Sequence, residues 1–267
     1  MLNLGSIVLL SINIIGMIWS WFNIRFDLSN IYRSIALFVA YSGLWIVKRI
    51  IWFRGYEVSL AQGRELEEVY RLRYQVYLEK GHIEESPKEI FLDEFDPYSE
   101  NIILKKRGNG VIGAIRITFS NDHVYLPMQN YFNLDCSSQT MVELGRWVMS
   151  KEFRAKYFKS SFLTVIVVLS AYLYLLRHKE TYVLFAVRPE VKKYLEEIFH
   201  FSINVTSQKQ LTQWNLVKRQ QIKGYFDKPV IPCEIQIHIY QIFQFIFYVI
   251  QSGFNRESNY NRLNARD

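Results

Sequence analysis

Cysteine, glycine and proline are scarce in this chain, and their scarcity excludes several classes of protein. The two cysteines, Cys136 and Cys233, are too few for a disulfide framework, and neither lies in a spacing that holds zinc. Twelve glycines and six prolines among 267 residues exclude collagen-like and linker-rich chains. A hydrophobic content of 50% excludes a disordered protein. We therefore expect one domain plus an appendage, with the body of the protein in a reducing compartment.

Concentrated positive charge is also lacking. The net charge is +7, but residues 1–53 hold four cations and one anion, which leaves 28 cations against 24 anions in the rest of the chain. No basic stripe and no RNP-like aromatic motif is present, so the sequence does not favour nucleic-acid binding. A basic edge beside a membrane is the simpler interpretation.

The N-terminal segment is uncharged over a length that suits a bilayer. No charged side chain occurs in residues 1–24, and Leu4–Phe22 approaches the roughly 20 apolar residues that cross a membrane as a helix. Trp19, Trp21 and Phe22 end this run, as aromatic residues do at membrane interfaces. No basic segment precedes the run and no small-residue cleavage site follows it. A retained anchor is therefore favoured over a cleaved signal peptide or a buried core helix.

A second uncharged run, Ser34–Val47, is shorter and is bounded by Arg33 and by Lys48-Arg49. Its 14 residues are also typical of core or interfacial helices. We favour a two-helix hairpin, because the flanking cations can reach lipid headgroups. The cluster Lys48, Arg49 and Arg54 predicts that the following chain lies on the cytoplasmic side.

Two later apolar runs are assigned to the folded domain. Ser160–Leu176 is predicted to be a helix packed on a sheet, because strand-like segments surround it. Ile235–Phe254 is punctuated by glutamines, and Ile235, Ile237 and Ile239 alternate as in a strand. We predict a terminal strand there, followed by an amphipathic segment that lies either on the domain or at the membrane surface.

The clearest amphipathic helix covers residues 64–80. Val69, Tyr70, Arg73 and Tyr77 recur at helical spacing, so Arg73 lies in the apolar stripe. A buried guanidinium without a partner costs several kcal/mol. The helix therefore predicts an acidic residue elsewhere in the chain that reaches Arg73.

Strand-like segments and helices alternate after this helix. The predicted strands are Asn101–Leu104, Gly110–Phe119, Val142–Val148 and Tyr182–Val187. Pro189 then opens a predicted helix over Glu190–Phe199. An initial helix and hairpin followed by strand–helix alternation predict an α/β fold with a mixed sheet flanked by helices. The predicted domains are a membrane anchor over residues 1–54 and this α/β domain over residues 55–267.

Four short patterns occur in one order along the chain. They are Leu72-Arg73-Tyr74-Gln75-Val76-Tyr77, Leu92-Asp93-Glu94-Phe95-Asp96, Gly113-Ala114-Ile115-Arg116 and Glu143-Leu144-Gly145-Arg146-Trp147-Val148. In spacing and order the set resembles the acyl-homoserine-lactone synthases and the related N-acyl amino acid synthases, a branch of the GNAT acyltransferase fold. The resemblance covers roughly residues 60–205. Ornithine and exosortase-associated acyltransferases share its first half nearly as well.

The resemblance implies transfer of an acyl group from a thioester to an amine. Glu143 is expected to take the proton of the amine, directly or through a water, because a carboxylate with a raised pKa suits that transfer. Its alternative role is an ion pair with Arg73 or Arg146. Arg146 is expected either to orient Glu143 or to hold the carboxylate of the acceptor. Backbone N–H groups at a splayed strand are expected to stabilise the oxyanion.

The resemblance also implies which side chains surround the substrates. Aspartates and arginines of the patterns are expected to form an electrostatic network at the amine site, with Phe132 and Trp147 lining an acyl tunnel or simply packing in the core. The implied substrate-binding residues are Arg73, Tyr77, Asp93, Asp96, Arg116, Phe132 and Trp147. A solvated acidic loop is the alternative interpretation of the two aspartates.

The loop after the fourth pattern departs from ordinary acetyl-CoA-dependent GNAT enzymes. Those enzymes hold the CoA pyrophosphate on a glycine-rich loop, whereas Lys151–Ser161 contains no glycine. The resemblance therefore favours a donor on the phosphopantetheine of acyl carrier protein, with CoA as the alternative, and no bound cofactor or metal. A cationic segment is expected to dock the acidic carrier protein or to form a solvated face; its residues are Lys151, Arg154, Lys156 and Lys159.

These observations predict a membrane-anchored N-acyltransferase that acylates an amino acid or a derivative at the cytoplasmic face of a bacterial inner membrane. Anchoring suits an amphiphilic product, since lipid favours an acyl chain by about 0.8 kcal/mol per CH₂. One alternative is an ornithine-type acyltransferase of lipid synthesis. Another is a non-catalytic, membrane-tethered module that binds an acyl ligand. Retention of the charged residues in all four patterns favours an enzyme.

Overall fold

The computed structural model describes residues 29–120, 126–134, 141–153, 162–178, 182–199, 202–206, 226 and 229–237. Several predictions concern residues outside these ranges, namely the apolar run Leu4–Phe22, the cations Arg154, Lys156 and Lys159, and the amphipathic segment after residue 237. The chain divides into two compact units, residues 1–38 and residues 39–267. The functional boundary at residue 54 stays a prediction.

The described helices and strands alternate as the sequence predicts. In chain order they are α1 (Ser29–Phe53), β1 (Tyr56–Leu60), α2 (Arg64–Glu79), a 3-10 turn (Asp96–Tyr98), β2 (Ser99–Lys106), β3 (Gly110–Phe119), α3 (Pro127–Phe132), β4 (Met141–Met149), α4 (Phe162–Arg177), β5 (Tyr182–Val187), α5 (Pro189–Phe199), β6 (Asn204–Val205) and β7 (Ile231–Gln236). The strands form a seven-stranded sheet in the order β1-β2-β3-β4-β5-β7-β6. All neighbours pair antiparallel except β4 and β5, which pair in parallel. The predicted mixed sheet flanked by helices is confirmed.

Helix α1 contains the second apolar run and extends over 25 residues. Beyond residue 38, its buried side chains are Ala40, Leu44 and Ile51. The hydroxyl of Tyr41 donates a hydrogen bond to the carbonyl oxygen of Leu173 in α4 at 2.9 Å. Among the described residues, no helix has both the length and the apolar character needed to cross a membrane.

Helix α2 packs on the sheet through the apolar stripe that its sequence predicts. Val69, Leu72 and Val76 form a core cluster with Ile103 of β2 and Ala114 of β3. Two glutamates in the first turn of the helix favour its start, because negative charge is stabilised at a helix N-terminus. The packing fixes the side of α2 that carries Arg73 against β2 and β3.

Strands β4 and β5 pair only over their first residues. Residues 141–143 of β4 pair with residues 182–184 of β5, and no pairing between the two strands follows Glu143. Strand β5 continues instead along β7 up to Val187. The two parallel strands therefore diverge after Glu143 into a wedge.

A β-bulge distorts β4 beside this wedge. Ile115 of β3 lies opposite two residues of β4, Arg146 and Trp147. Arg146 has a φ of 51°, which is uncommon for a residue other than glycine. A bulge of this kind redirects side chains, and bulges are frequent beside active sites.

Several elements differ from the sequence predictions, and helix α3 and strand β6 are among those that were not predicted. Strand β1 was not predicted, and β7 begins at Ile231 rather than at Ile235. Pro232 disfavours a central strand, because it cannot donate a ladder hydrogen bond. In the structure its carbonyl oxygen accepts a bond from the N–H of Thr206, so its missing N–H faces the side of β6. That strand has only two residues, and the proline is tolerated there.

Candidate active site

Arg73 of α2 is fully buried and paired with an acid, as its position in the apolar stripe predicts. Its Nη1 donates to Asp96 Oδ1 at 2.8 Å and to Oδ2 at 2.9 Å. Its Nη2 donates to Asn101 Oδ1 at 3.2 Å. Asp96 opens the 3-10 turn, and its carboxylate also accepts the backbone N–H of Asp93 at 2.8 Å. The second aspartate of the D-x-x-D pattern therefore ties the turn to α2.

Asp93, the first aspartate of that pattern, joins two further guanidinium groups. Arg116 of β3 donates from Nη1 to Asp93 Oδ1 at 2.6 Å and to Asp96 Oδ1 at 3.3 Å. Arg146 of β4 donates from Nε and Nη2 to Asp93 Oδ2 at 3.0 and 2.8 Å. The side chains thus alternate in charge along one line, which we call the charged network: Arg73, Asp96, Arg116, Asp93 and Arg146.

The neighbouring arginines decide the protonation of Asp93. Burial alone would raise the pKa of Asp93, but Arg146 and Arg116 outweigh burial and lower that pKa to about 2. Asp93 is therefore an anion throughout the neutral range and does not serve as a proton acceptor there. The solvated-loop interpretation of the two aspartates is wrong, because Asp96 is buried and both carboxylates are held by arginines.

The guanidinium of Arg146 is enclosed by aromatic rings. It lies 5.8 Å from the ring centroid of Tyr77 and 5.5 Å from that of Phe91. The hydroxyls of Tyr77 and Tyr131 lie 3.5 and 3.4 Å from its Nη1 and Nη2 atoms. Arg146 therefore binds Asp93 and the tyrosines, and the expectation that it orients Glu143 by direct contact is not met.

Glu143 lies at the start of the wedge, outside the charged network. It is 6% exposed, and its Oε2 accepts the backbone N–H of Met128 in α3 at 2.7 Å. The alternative role as an ion-pair partner of Arg73 or Arg146 is not observed, because those arginines bind Asp96 and Asp93. Burial raises the pKa of Glu143 to about 7. A carboxyl group with that pKa can both accept and release a proton near neutrality.

Gly145 leaves space for the second oxygen of this carboxyl group. A Cβ atom at position 145 would lie 3.1 Å from Glu143 Oε1, closer than ordinary van der Waals contact. Among the described residues, Oε1 has no hydrogen-bond partner. The glycine between Glu143 and Arg146 thus keeps one carboxyl oxygen accessible.

A cavity of about 300 Å³ occupies the wedge and includes Glu143 and Arg146 in its wall. Other polar groups in the wall come from Tyr77, Lys80, His82 and Tyr131. Helices α4 and α5 and strands β5 and β7 add apolar side chains, among them Val168, Tyr172, Phe185 and Leu195. The cavity can therefore accommodate a molecule with one polar and one apolar part.

The remaining predicted site residues fall into two groups. Phe132 and Trp147 line the cavity, and Phe132 also belongs to a buried core cluster; that these rings line an acyl tunnel stays a prediction. Lys151 is exposed and lies 4.0 Å from Glu79, away from the charged network. Among the described residues, no group of histidine, cysteine, aspartate and glutamate side chains is arranged to hold a metal ion.

The sequence analysis missed several residues of the site. Phe91 and Tyr131 surround Arg146, and the backbone of Met128 binds Glu143. Tyr131 stands next to the predicted Phe132, but nothing in the local pattern distinguishes it from a core aromatic residue. The contacts of Tyr131 with Arg146 and of Met128 with Glu143 form only when the folded chain places α3 against β4.

Comparisons with known proteins agree with this geometry. The family model of the N-acyl amino acid synthase FeeM matches residues 68–210, which is more than half of the chain and includes all four patterns. No curated protein matches the chain.

Three solved structures illustrate the shared fold. BjaI, a CoA-dependent acyl-homoserine lactone synthase with bound MTA, has 14% identity over 73% of this chain and 90% of its own, with a TM-score of 0.55. TofI in complex with an inhibitor and MTA has 13% identity over 71% and 95%, with a TM-score of 0.52. The AHL synthase LasI has 15% identity over 68% and 90%, with a TM-score of 0.50. These identities support a common fold and no more.

The family match, the wedge between β4 and β5 and the charged network that joins residues of all four patterns lead to the same assignment. The chain belongs to the family of the N-acyl amino acid synthase FeeM and is an acyltransferase.

Proposed function

We propose that the protein transfers a fatty acyl group from a phosphopantetheine thioester to the α-amine of an amino acid. The products are an N-acyl amino acid and a free thiol. One observation carries the proposal: Glu143, whose pKa is raised to about 7 by burial, lies in the wall of a largely apolar cavity at the diverging strands. A proton acceptor and space for an acyl chain are thus adjacent.

The reaction needs one proton acceptor and no redox step. Glu143 accepts a proton from the ammonium group of the acceptor, directly or through a water, and leaves a neutral amine. The amine attacks the thioester carbonyl, so that a C–N bond forms and the carbonyl oxygen becomes an oxyanion. Backbone N–H groups in the wedge stabilise this charge. Collapse of the intermediate breaks the C–S bond, and the proton lost by nitrogen reaches the departing thiolate.

Arg146 is the proposed binding group for the acceptor's carboxylate. The charged network contains three guanidinium groups and two carboxylates, so it carries one uncompensated positive charge. Arg146 is the arginine of the network that lines the cavity. Because Nε and Nη2 of Arg146 bind Asp93, a carboxylate would bind the remaining N–H of Nη1 in a charge-assisted hydrogen bond and balance the charge. The amine beside it would lie near Glu143.

The donor and the location complete the proposal. Acyl carrier protein is the favoured donor, with CoA as the alternative, and the exposed Lys151 with Arg154, Lys156 and Lys159 is the proposed docking segment. Residues 1–54 anchor the enzyme at the inner membrane of a bacterium, with the catalytic domain on the cytoplasmic side. An amphiphilic product is thereby made next to the lipid that accepts it.

The test is a reconstituted reaction. Purified full-length protein is incubated with acyl carrier protein or CoA thioesters and a panel of amines, and the products are identified by mass spectrometry. The panel includes amino acids, the matching amino acid amides and ornithine. We expect an N-acyl amino acid with thiol release and a strong preference for the free acid over its amide. Equal use of the amide would contradict the role of Arg146, and preference for ornithine would favour lipid synthesis.

A further inference from the structure

The outer surface at the end of α1 combines large apolar side chains with arginines. Trp45 and Phe53 are 60% and 78% exposed, and Ile46 and Trp52 are exposed beside them. We propose that this surface binds a bilayer that contains anionic lipids, with α1 lying along the interface. The inference deepens the anchoring part of the proposed function and rests on it. The α1 surface is defined by Trp45, Ile46, Arg49, Trp52, Phe53 and Arg107.

The two faces of α1 differ in what covers them. Its buried residues, Ala40, Leu44 and Ile51, fall on one side of the helix at 3.6 residues per turn. Trp45, Arg49 and Trp52 follow one another at four and three residues and fall on the opposite side. A surface helix normally presents polar residues to water there. Exposed aromatic and aliphatic side chains on that face indicate a contact that excludes water.

Arginines from two separate segments meet on this surface. The guanidinium of Arg49 lies 5.4 Å from the ring of Trp45 and 6.0 Å from that of Trp52. Arg107, in the turn between β2 and β3, lies 5.2 Å from the ring of Trp52. The backbone N–H of Arg107 donates to the carbonyl oxygen of Gly55 at 2.8 Å, which holds the turn against the end of α1. The helix end and the turn therefore form one surface.

Opposite charge is scarce around these arginines. No acidic residue occurs between residues 28 and 56. The acid on the adjoining strand β1, Glu57, has its carboxylate 3.2 Å from the ammonium group of Lys105. Positive charge thus dominates the α1 surface. Arginines close to an anionic bilayer strengthen its binding.

A bilayer interface is the partner that fits both features. Tryptophan concentrates at the headgroup level of membranes, and apolar side chains flanked by cations are typical of helices that lie in that plane. Lipid phosphates would bind Arg49 and Arg107 while Phe53 enters the acyl region. Because Tyr41, one turn before Trp45 on α1, donates a hydrogen bond to Leu173 of α4, lipid cannot surround this part of the helix. The expected arrangement is therefore peripheral at α1.

A fluorescent probe at position 53 tests this arrangement in the full chain. The native cysteines are replaced (C136S, C233A), and a thiol-reactive bimane is attached to Phe53→Cys. The control probe is attached to Lys88→Cys, an exposed site in the loop that packs beside α2. The protein is reconstituted in vesicles of equal parts phosphatidylcholine and phosphatidylglycerol, with or without brominated acyl chains. We expect several-fold stronger quenching by brominated lipid at position 53 than at position 88.

The arginines are tested in the same vesicles. Arg49→Glu combined with Arg107→Glu is expected to abolish most of the quenching at position 53, and phosphatidylcholine alone is expected to weaken it. If aqueous iodide, and not brominated lipid, quenches position 53, the surface is free and the inference is wrong. If neither quencher reaches it, residues 1–28 or a second copy of the chain covers the surface, and the inference is also wrong.

Acyl transfer is measured on the same variants in detergent micelles. The charge-reversed variant should retain the transfer rate of its parent there, because no residue of the α1 surface lines the cavity. If no preparation, including the parent, transfers an acyl group, the proposed function is contradicted. The quenching experiment does not depend on acyl transfer and still tests the α1 surface.

Discussion

A partly buried carboxylate, Asp93, and a buried one, Glu143, lie close together in this protein and differ in protonation. Asp93 is contacted by the guanidinium groups of Arg116 and Arg146, and its pKa is lowered to about 2 despite its burial. Glu143 receives one backbone N–H from Met128, and burial raises its pKa to about 7. Burial acts on both groups in the same direction. The contacting cations decide which carboxylate stays charged and which one can exchange a proton.

This contrast separates two tasks that one acidic site could not perform. A permanently charged aspartate holds arginines in place but is a poor base at neutral pH. A carboxylate without a bound cation is a better base, because its conjugate acid has a pKa near the operating pH. In the proposed mechanism, the charged network positions the substrate and Glu143 accepts the proton.

The largest expected effect is the loss of acyl transfer in Glu143→Gln. Glutamine keeps the size of the side chain and an oxygen for the N–H of Met128, but it accepts no proton. We expect the single-turnover rate to fall by roughly 10²–10⁴-fold, with an unchanged circular dichroism spectrum. Glu94→Gln is the matched control, since Glu94 is exposed and is expected to leave the rate within about twofold. A wild-type rate in Glu143→Gln would remove Glu143 from the mechanism.

The second effect concerns the stability of the charged network. Arg73→Met leaves Asp96 buried without its main partner, and we expect the free energy of unfolding to fall by about 3–5 kcal/mol. Arg71→Met removes a surface pair with Glu67 and is expected to cost about 0–1 kcal/mol. Urea unfolding followed by circular dichroism measures both. An equal decrease in the free energy of unfolding in the two variants would mean that the buried ion pair stabilises the protein no more than the surface pair does.

The third effect is that the contributions of Glu143 and Asp93 to stability depend on pH in opposite directions. The folded-state pKa of Glu143 is raised from 4.5 to about 7, so the folded protein binds more protons than the unfolded chain between these values. Its contribution to stability therefore decreases as pH rises through that window, by roughly 3 kcal/mol in total. The pKa of Asp93 is lowered from 3.8 to about 2, so its contribution is lost as pH falls through that lower window.

Thermal unfolding of wild type and Glu143→Gln checks the upper window. The variant should gain stability relative to wild type as pH rises from 4.5 to about 7. A constant difference across the window would show that Glu143 titrates normally. The transfer rate of wild type should increase with pH over the same window, because the deprotonated form of Glu143 is the base. Two acceptors whose amines differ in pKa should show this increase at the same pH.

The smallest expected effect comes from Gly145→Ala. The added Cβ would lie 3.1 Å from Glu143 Oε1 and displace that oxygen by a few tenths of an ångström. We expect the transfer rate to fall roughly tenfold, about 1.4 kcal/mol. Gly113→Ala is the control, because its nearest atom lies at 3.5 Å, an ordinary contact. Equal rates in both variants would show that the position of Oε1 does not matter.

The sequence predicts the parts of the site that depend on local patterns. Arg73 stands in an apolar stripe, and burial then requires an acid, which the structure identifies as Asp96. Strand β4 and the buried helix α4 follow from short-range periodicity. The order of the four patterns places Glu143 and Arg146 on one strand.

Features that depend on contacts between distant segments were not predictable. The bulge that turns Arg146 toward Asp93 depends on the register between β3 and β4, which spacing alone does not define. Strand β1 has five residues and is stabilised by pairing with β2, far along the chain. The contact of Met128 with Glu143 also requires the folded arrangement of α3.

Infrared difference spectroscopy of the carboxyl groups tests the central contrast most directly. Wild type minus Glu143→Gln isolates the signal of one carboxyl group as pH is varied. We predict a C=O band of a protonated, buried carboxyl group that disappears as pH rises through about 7. A band that disappears near the ordinary glutamate pKa of about 4.3, or no band at any pH, would contradict the assignment of Glu143 as the proton acceptor.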